Sequence, residues 1–199
     1  VLEAEACLRL LPGRRLAVRA RLDGRAVFAK IFVGRDHARE AAREGANLRA
    51  LTGAGVAVPA LLDSFANDDL SVLVLEWLEG ARPLTGAFAR LSEAGLNDLL
   101  DQIRRIDAAG YYQPDPHPDN FLYAGDRIRV VDAGAVRALP RAGWLRRRVR
   151  RKNRALLCAQ LPLDRADAFR SALVRVLELT GREERRLKRA IRRARNRRI

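Results

Sequence analysis

The chain has 199 residues, a hydrophobic share of 48% and a formal net charge of +15. That hydrophobic share supports a packed core and excludes wholesale disorder, and no apolar run is long enough to cross a bilayer. Two cysteines, Cys7 and Cys158, without C-x-x-C spacing argue against a disulfide or zinc framework, and no basic-then-apolar stretch opens the chain, so the expectation is a protein of the reducing cytoplasm.

Residues 8–11, 16–22 and 26–32 read as short strands, punctuated by the turn dipeptides Pro12-Gly13 and Asp23-Gly24. Asp36 is placed to cap a helix running from about His37 to Leu51, with Ala38, Ala41, Ala42, Leu48 and Leu51 on its small and apolar faces. Residues 56–62 and 71–77 read as further strands, giving a small sheet crossed by one helix, and Leu78-Glu79-Gly80 follows as a crossover. Leu96, Leu99, Leu100, Ile103 and Ile106 then recur at helical spacing and stop before Gly110. Residues 115–134 read as a loop, a strand, a turn at Gly125-Asp126 and a second strand. The remainder is helical, with Phe169, Leu173, Val176 and Leu177 on one face and Asp164 as a cap. The expected organisation is α+β, a β-rich part over residues 1–79 and a helical part over 80–199.

The run Gln113-Pro114-Asp115-Pro116-His117-Pro118-Asp119-Asn120-Phe121-Leu122, followed by Val130-Val131-Asp132-Ala133-Gly134, carries the most chemistry. Asp115 and Asn120 stand five positions apart, and Asp132 follows twelve residues after Asn120, behind a short apolar strand. Phosphoryl transfer from ATP needs such a set: one carboxylate for the proton of the acceptor hydroxyl, and an amide with a carboxylate to hold Mg2+ on the phosphates. Asp115 is the candidate catalytic base, and Asn120 and Asp132 are candidate metal ligands of the oxygen type that a hard cation takes. An Asp-x-x-x-x-Asn pair alone is equally well explained by turn-capping side chains; the strand and second aspartate joined to it favour catalysis. Lys30, in Val27-Phe28-Ala29-Lys30-Ile31-Phe32, matches the strand motif whose lysine reaches the α- and β-phosphates. The chain has 36 arginines and three lysines, so a retained lysine suggests a need for a flexible point charge; the alternative is a lysine snorkelling from a strand edge. Glu40 and Glu44, one helical turn apart, are the candidate ion-pair partners of Lys30, or else solvated acids paired with Arg39 and Arg43.

The pattern Asp-x-His-Pro-x-Asn at 115–120 resembles the catalytic loop of kinases that phosphorylate sugars, aminoglycosides and lipids. With Leu10-Leu11-Pro12-Gly13-Arg14-Arg15, Ala29-Lys30, Glu44, Leu75-Glu76-Trp77-Leu78-Glu79-Gly80 and Val131-Asp132, it runs in kinase order over about residues 8–137. The set is similar to the bacterial lipopolysaccharide core kinases, which phosphorylate heptose or Kdo sugars of the inner core. The resemblance implies a two-lobed protein-kinase-like fold with a reduced helical second lobe, and ATP and Mg2+ as cofactors. It also implies Glu44 as the partner of Lys30, Gly13 in the phosphate-cradling turn, and the backbone of Glu76 and Leu78 at the adenine edge. His117 is implied as loop support, and His37 carries no functional claim. Four departures stand out: a phosphate loop with only Gly13, where Arg14 and Arg15 either compensate by charge or form a solvated turn; Gln113 where many kinases have histidine; Ala133 after the metal aspartate; and only 67 residues beyond Asp132. The shortness favours a small or lipid-borne acceptor over a protein.

The charge is local. Residues 141–154 hold eight basic side chains and no acid, and residues 182–199 hold ten against two. Such a patch suits an anionic partner, either a phosphorylated lipid surface met peripherally at the inner membrane or nucleic acid; the resemblance implies a lipopolysaccharide core glycolipid or another anionic small-molecule acceptor. Leu187, Ile191 and Ala194 share a face of the last segment, which fits an interfacial helix or a solvated helix docked on the second lobe. Nucleic acid is disfavoured, because no aromatic lies in that tail. Two other readings remain: a kinase of a soluble small molecule of the aminoglycoside or choline type, and a pseudokinase or basic binding module without chemistry.

Overall fold

Alternation of side chains along extended backbone builds the first lobe. In the computed structural model, which describes residues 1–124, 127–161 and 163–196 and leaves aside the side chains of 89 and 163–166, five antiparallel strands form one sheet. They are β1 (Leu2–Leu11), β2 (Arg15–Leu22), β3 (Arg25–Val33), β4 (Leu61–Ala66) and β5 (Leu70–Glu76), in the order β1-β2-β3-β5-β4. Val18, Ala20, Val27, Ala29, Val72 and Val74 are buried together on one face. Lys30 alternates with Val27, Ala29 and Ile31 and falls on the opposite face with Phe32, which packs with Leu73 on Ala41 of helix α1 (His37–Gly53). The parity of β3 therefore turns Lys30 toward α1.

Three sequence expectations change here. β1 begins six residues before the expected strand; it is an edge strand exposed along most of its length and bulged twice, so its start carries no buried alternation. Asp36 precedes α1, but its side chain makes no cap bond and pairs with Arg39 at 3.2 Å. Residues 56–60 leave the sheet, and β4 starts only at Leu61. Val56 and Val58 are buried in a core shared with the second lobe. The Ala57 N–H donates to Gln102 Oε1 at 2.7 Å and the Ala57 carbonyl accepts from Val130 N at 2.7 Å. The backbone of Ala57 is thus bonded to the second lobe, Ala60 exchanges bonds with Glu76 at the end of β5, and Pro59 has no N–H to offer a ladder.

The second lobe opens with β6 (Arg82–Pro83), the single turn α2 (Leu84–Ala87) and a 3-10 turn at Phe88–Arg90, leading to α3 (Glu93–Ala108). Ser92 caps α3 by accepting from Gly95 N at 3.0 Å, and Leu99, Leu100, Ile103 and Ile106 are buried on its inner face. β7 (Tyr111–Tyr112) pairs with β10 (Arg137–Ala138), while β8 (Phe121–Ala124) and β9 (Arg127–Val130) form a hairpin flanked by β6. The turn expected at Gly125-Asp126 lies outside the described residues. Helices α4 (Gly143–Gln160), α5 (Leu163–Val176) and α6 (Gly181–Asn196) follow. Phe169 and Leu173 of α5 are buried with Val176 and Leu177 packed beside them, whereas Asp164 falls inside the helix and its side chain is outside the description.

Leu187 of α6 is 1% exposed, and Ala190 and Ile191 pack against the same core. Of the two arrangements expected for this segment, the structure has the helix docked on the second lobe through this stripe. Among the described residues no helix is long and apolar enough to cross a membrane. The start of α6 is a capping box: Thr180 Oγ1 accepts from Glu183 N at 3.3 Å, and Glu183 Oε2 accepts from Thr180 N at 3.0 Å and from its hydroxyl at 2.9 Å. These two bonds, the backbone one first, hold the Glu183 carboxyl below its ordinary range. A lowered folded-state value stabilises above the ordinary carboxylate range, and the contribution disappears as pH falls through the lowered value. Thr180→Ala should cost about 1 kcal/mol in denaturant unfolding at neutral pH. The penalty of Glu183→Gln should shrink in acid.

Candidate functional site

The sheet and the second lobe enclose a cleft of about 390 Å³. Ala17, Phe28, Leu75, Leu122 and Val131 supply apolar walls, and Arg15, Lys30, Glu44, Asn120 and Asp132 supply the polar groups. Glu76 and Leu78 line it where β5 runs into the crossover. Lys30 Nζ donates to Glu44 Oε1 and lies 3.7 Å from Asp132 Oδ1. Of the two candidate glutamates, Glu44 is the one that reaches Lys30; Glu40 pairs with Arg14 at 2.6 Å. Both members of the Lys30–Glu44 pair are buried.

Arg15 joins this pair. Its Nη1 is 3.6 Å from Glu44 Oε2 and 3.9 Å from Asp132 Oδ1, and its guanidinium lies 6.0 Å from the centroid of the Phe32 ring. Two cations and two carboxylates therefore meet at the cleft. The sequence presents Arg14 and Arg15 as equivalent, but β2 begins at Arg15, and strand parity sends it inward while Arg14 turns out to Glu40. Gly13, with φ 67°, forms the β1–β2 turn and does not line the cleft. Its carbonyl packs over Gly34, where a Cβ would come within 2.6 Å of it.

Asp132 sits in the left-handed backbone region, φ 61° and ψ 49°, which costs an aspartate about 1 kcal/mol and marks a place where backbone strain is held by its surroundings. Gln113 Nε2 donates to the Asp132 carbonyl at 3.4 Å, and Asn153 of α4 donates to the Gln113 carbonyl, so the residue standing where many kinases have histidine still ties the two loops together. Asn120 donates its Nδ2 to the Asp115 carbonyl at 2.7 Å, which leaves Oδ1 as its accepting atom. Asp115 itself is exposed on the loop and is absent from the cleft lining. His117 accepts from Asp119 N at 3.2 Å and caps the 3-10 turn Pro118–Asn120, a supporting contact. His37 pins the start of α1 to Ser71 at 2.9 Å.

Among the described residues no cluster of three or more His, Cys, Asp or Glu side chains forms a ready cation cage. Asn120 and Asp132 are two hard oxygen donors at one cleft, the kind of set that suits Mg2+ shared with phosphate oxygens and water. Asn47, which the sequence reading did not single out, donates its Nδ2 to the carbonyls of Ala133 at 2.8 Å and Val136 at 3.1 Å. Its position three residues after Glu44 on one helix was the available signal.

The architecture is the two-lobed kinase-like fold: a five-stranded sheet with one helix across it, a cleft, and a helical second lobe. A solved structure, that of WaaP in complex with acyl carrier protein, matches with a TM-score of 0.68 at 23% identity, over 96% of this chain and 87% of that one. At that identity the likeness shows a WaaP-like kinase fold. No family model matches the chain, and no curated protein does.

A Cβ on Gly134 would stand 2.5 Å from Glu44 Oε2. Gly134→Ala should therefore push the buried carboxylate and cost about 1–3 kcal/mol in denaturant unfolding.

Proposed function

We propose that this chain is an ATP- and Mg2+-dependent phosphotransferase acting on a sugar hydroxyl of the lipopolysaccharide inner core, with residues 1–79 as its nucleotide lobe and 80–199 as its acceptor lobe. The observation that carries the reading is the buried Lys30–Glu44 pair set beside Asp132 and Asn120 at one cleft. In this reading Phe28, Leu75 and Leu122 hold the adenine, and the backbone at Glu76 and Leu78 meets its polar edge. Bound Mg2+ supplies charge neutralisation on the phosphates. Asp132 and Asn120 hold that ion, Lys30 is kept in place by Glu44, and Arg15 adds a second cation where the turn lacks glycines. Asp115 orients the acceptor hydroxyl and takes its proton; its exposure on the loop leaves it reachable by an acceptor coming from solvent.

Support for an anionic acceptor comes from the second lobe. A groove of about 1100 Å³ between α4 and α6 is lined by Arg147, Arg148, Arg151, Lys152, Arg186, Arg189 and Arg193 among others. None of these seven forms an ion pair among the described residues. A cationic aminoglycoside or choline-like acceptor would be repelled by this lobe. We place the chain at the cytoplasmic face of the inner membrane, where the acceptor glycolipid is made, held there by charge.

The test is transfer of label from ATP with Mg2+ to lipopolysaccharide lacking core phosphates. Wild type should label the glycolipid; Asp115→Ala should lose about 100- to 10,000-fold in turnover while still binding ATP; Asp132→Ala should lose metal-dependent binding. Nucleotide binding without label would move the search to other acceptors, and absence of both would favour a pseudokinase. Sedimentation with anionic vesicles should fall as salt shortens the screening length below about 8 Å, and Arg147→Glu with Arg189→Glu should abolish it.

A further inference from the structure

We propose that Asn47 is a positioning residue that clamps α1, and with it Glu44, onto the turn that follows Asp132, so that the Lys30–Glu44 pair is assembled before any nucleotide arrives. The proposal rests on the phosphotransferase reading of the cleft. One amide nitrogen, Asn47 Nδ2, donates to both the Ala133 carbonyl at 2.8 Å and the Val136 carbonyl at 3.1 Å. Those carbonyls bracket the 3-10 turn Ala133–Ala135, which starts directly after the strained Asp132. The helix that carries Glu44 and the turn that carries Asp132 are thus joined through a single side chain.

Gly134 lies inside this joint, with no room for a methyl against the Glu44 carboxylate. Leu48, next to Asn47, and Leu51, one turn further on, are buried in the core shared with the second lobe, so packing and the amide hold the helix together. An outward swing of α1 would break the Lys30–Glu44 pair, strip two carbonyls of their donor and expose Leu48 and Leu51 together. The geometry asks for an amide donor here. Aspartate would set an acceptor against two carbonyl oxygens, and leucine would keep the volume without any donor.

The test uses the full chain with Asn47→Asp, Asn47→Leu and Asn47→Gln. Three readouts are compared: Mg-ATP affinity by calorimetry, amide exchange without nucleotide, and melting temperature. The expected result is that Asp and Leu each weaken Mg-ATP binding about tenfold, as loss of two half-buried hydrogen bonds implies. Both should also speed exchange in α1 and in residues 133–136 together, while the exchange of α3 stays unchanged. Gln, which keeps the donor, should recover most of both effects. Wild-type affinity and exchange in Asn47→Leu would overturn the clamp, whether or not the Asp variant folds. A lower melting temperature with unchanged nucleotide affinity would overturn it too, leaving Asn47 as a mere carbonyl cap. Coupled exchange in a wild type that binds no nucleotide would uphold the clamp and sink the phosphotransferase reading instead.

Discussion

The buried contact between Lys30 and Glu44 sets the terms for everything around it. Lys30 is 8% exposed and Glu44 1%. Removing two charges from water costs several kcal/mol per ion, and their attraction offsets that only with good geometry. Apolar residues of the same size would stabilise the fold as well or better, so stability does not account for the pair. Several local features support it: the parity of β3 that points Lys30 inward, the path of α1 across the sheet, the missing side chain at Gly134, and Arg15 as a second cation near the free oxygen of Glu44. Each is a local choice that makes sense only because the pair must stand where it does.

The supports are tied to one another through the second lobe. The Ile128 N–H donates to Asp98 Oδ2 at 2.6 Å, Gln102 Nε2 donates to Asp98 Oδ1 at 3.2 Å, and Gln102 Oε1 accepts from Ala57 N. Two side chains on one face of α3 therefore hold both the connection leaving α1 and the strand leading to Asp132. Asn47 closes the circuit from the other end of that strand. Glu44 and Asp132 belong to segments far apart in sequence, yet both are referenced to the same helix. Their relative position is as stiff as the core around Leu99 and Leu100, which are fully buried.

What was legible in the sequence follows from this wiring. Lys30 could be found because strand parity is a local property and lysine is scarce here. Asn120 and Asp132, which both line the cleft, were legible as a spaced pair because a hairpin of nearly fixed length separates them, whereas Asp115 stands on the loop outside that lining. Their chemical roles come from the resemblance rather than from geometry. Residues 56–60 were misread because an apolar run is silent about where its N–H and C=O groups bond, and here the partners, Gln102 and Val130, lie on distant segments. Arg14 and Arg15 could not be told apart without knowing where β2 begins. Asp36 had the right identity and position for a cap, but Arg39 won its carboxylate. The long edge strand β1 was half hidden because a ladder with solvent on both sides imposes no apolar pattern.

The arginine excess resolves into separate physical uses. Arg15 serves the cleft. Arg154 and Arg150 of α4 reach Asp107 at the end of α3, with Arg150 Nε 3.6 Å from its carboxylate, and so join two helices of the core. Arg147, Arg148, Arg151, Arg186, Arg189 and Arg193 of the groove form no ion pair among the described residues, and their mutual repulsion works against the compact state. Helix α6 shows how the cost is borne. Its capping box and its buried Leu187 fix the helix from the inside, which lets the outer face carry charge that folding does not need. With Leu187 committed inward, this face offers a partner a dense positive charge beside the exposed Trp144. Attraction of that kind is long in range and weakened by salt.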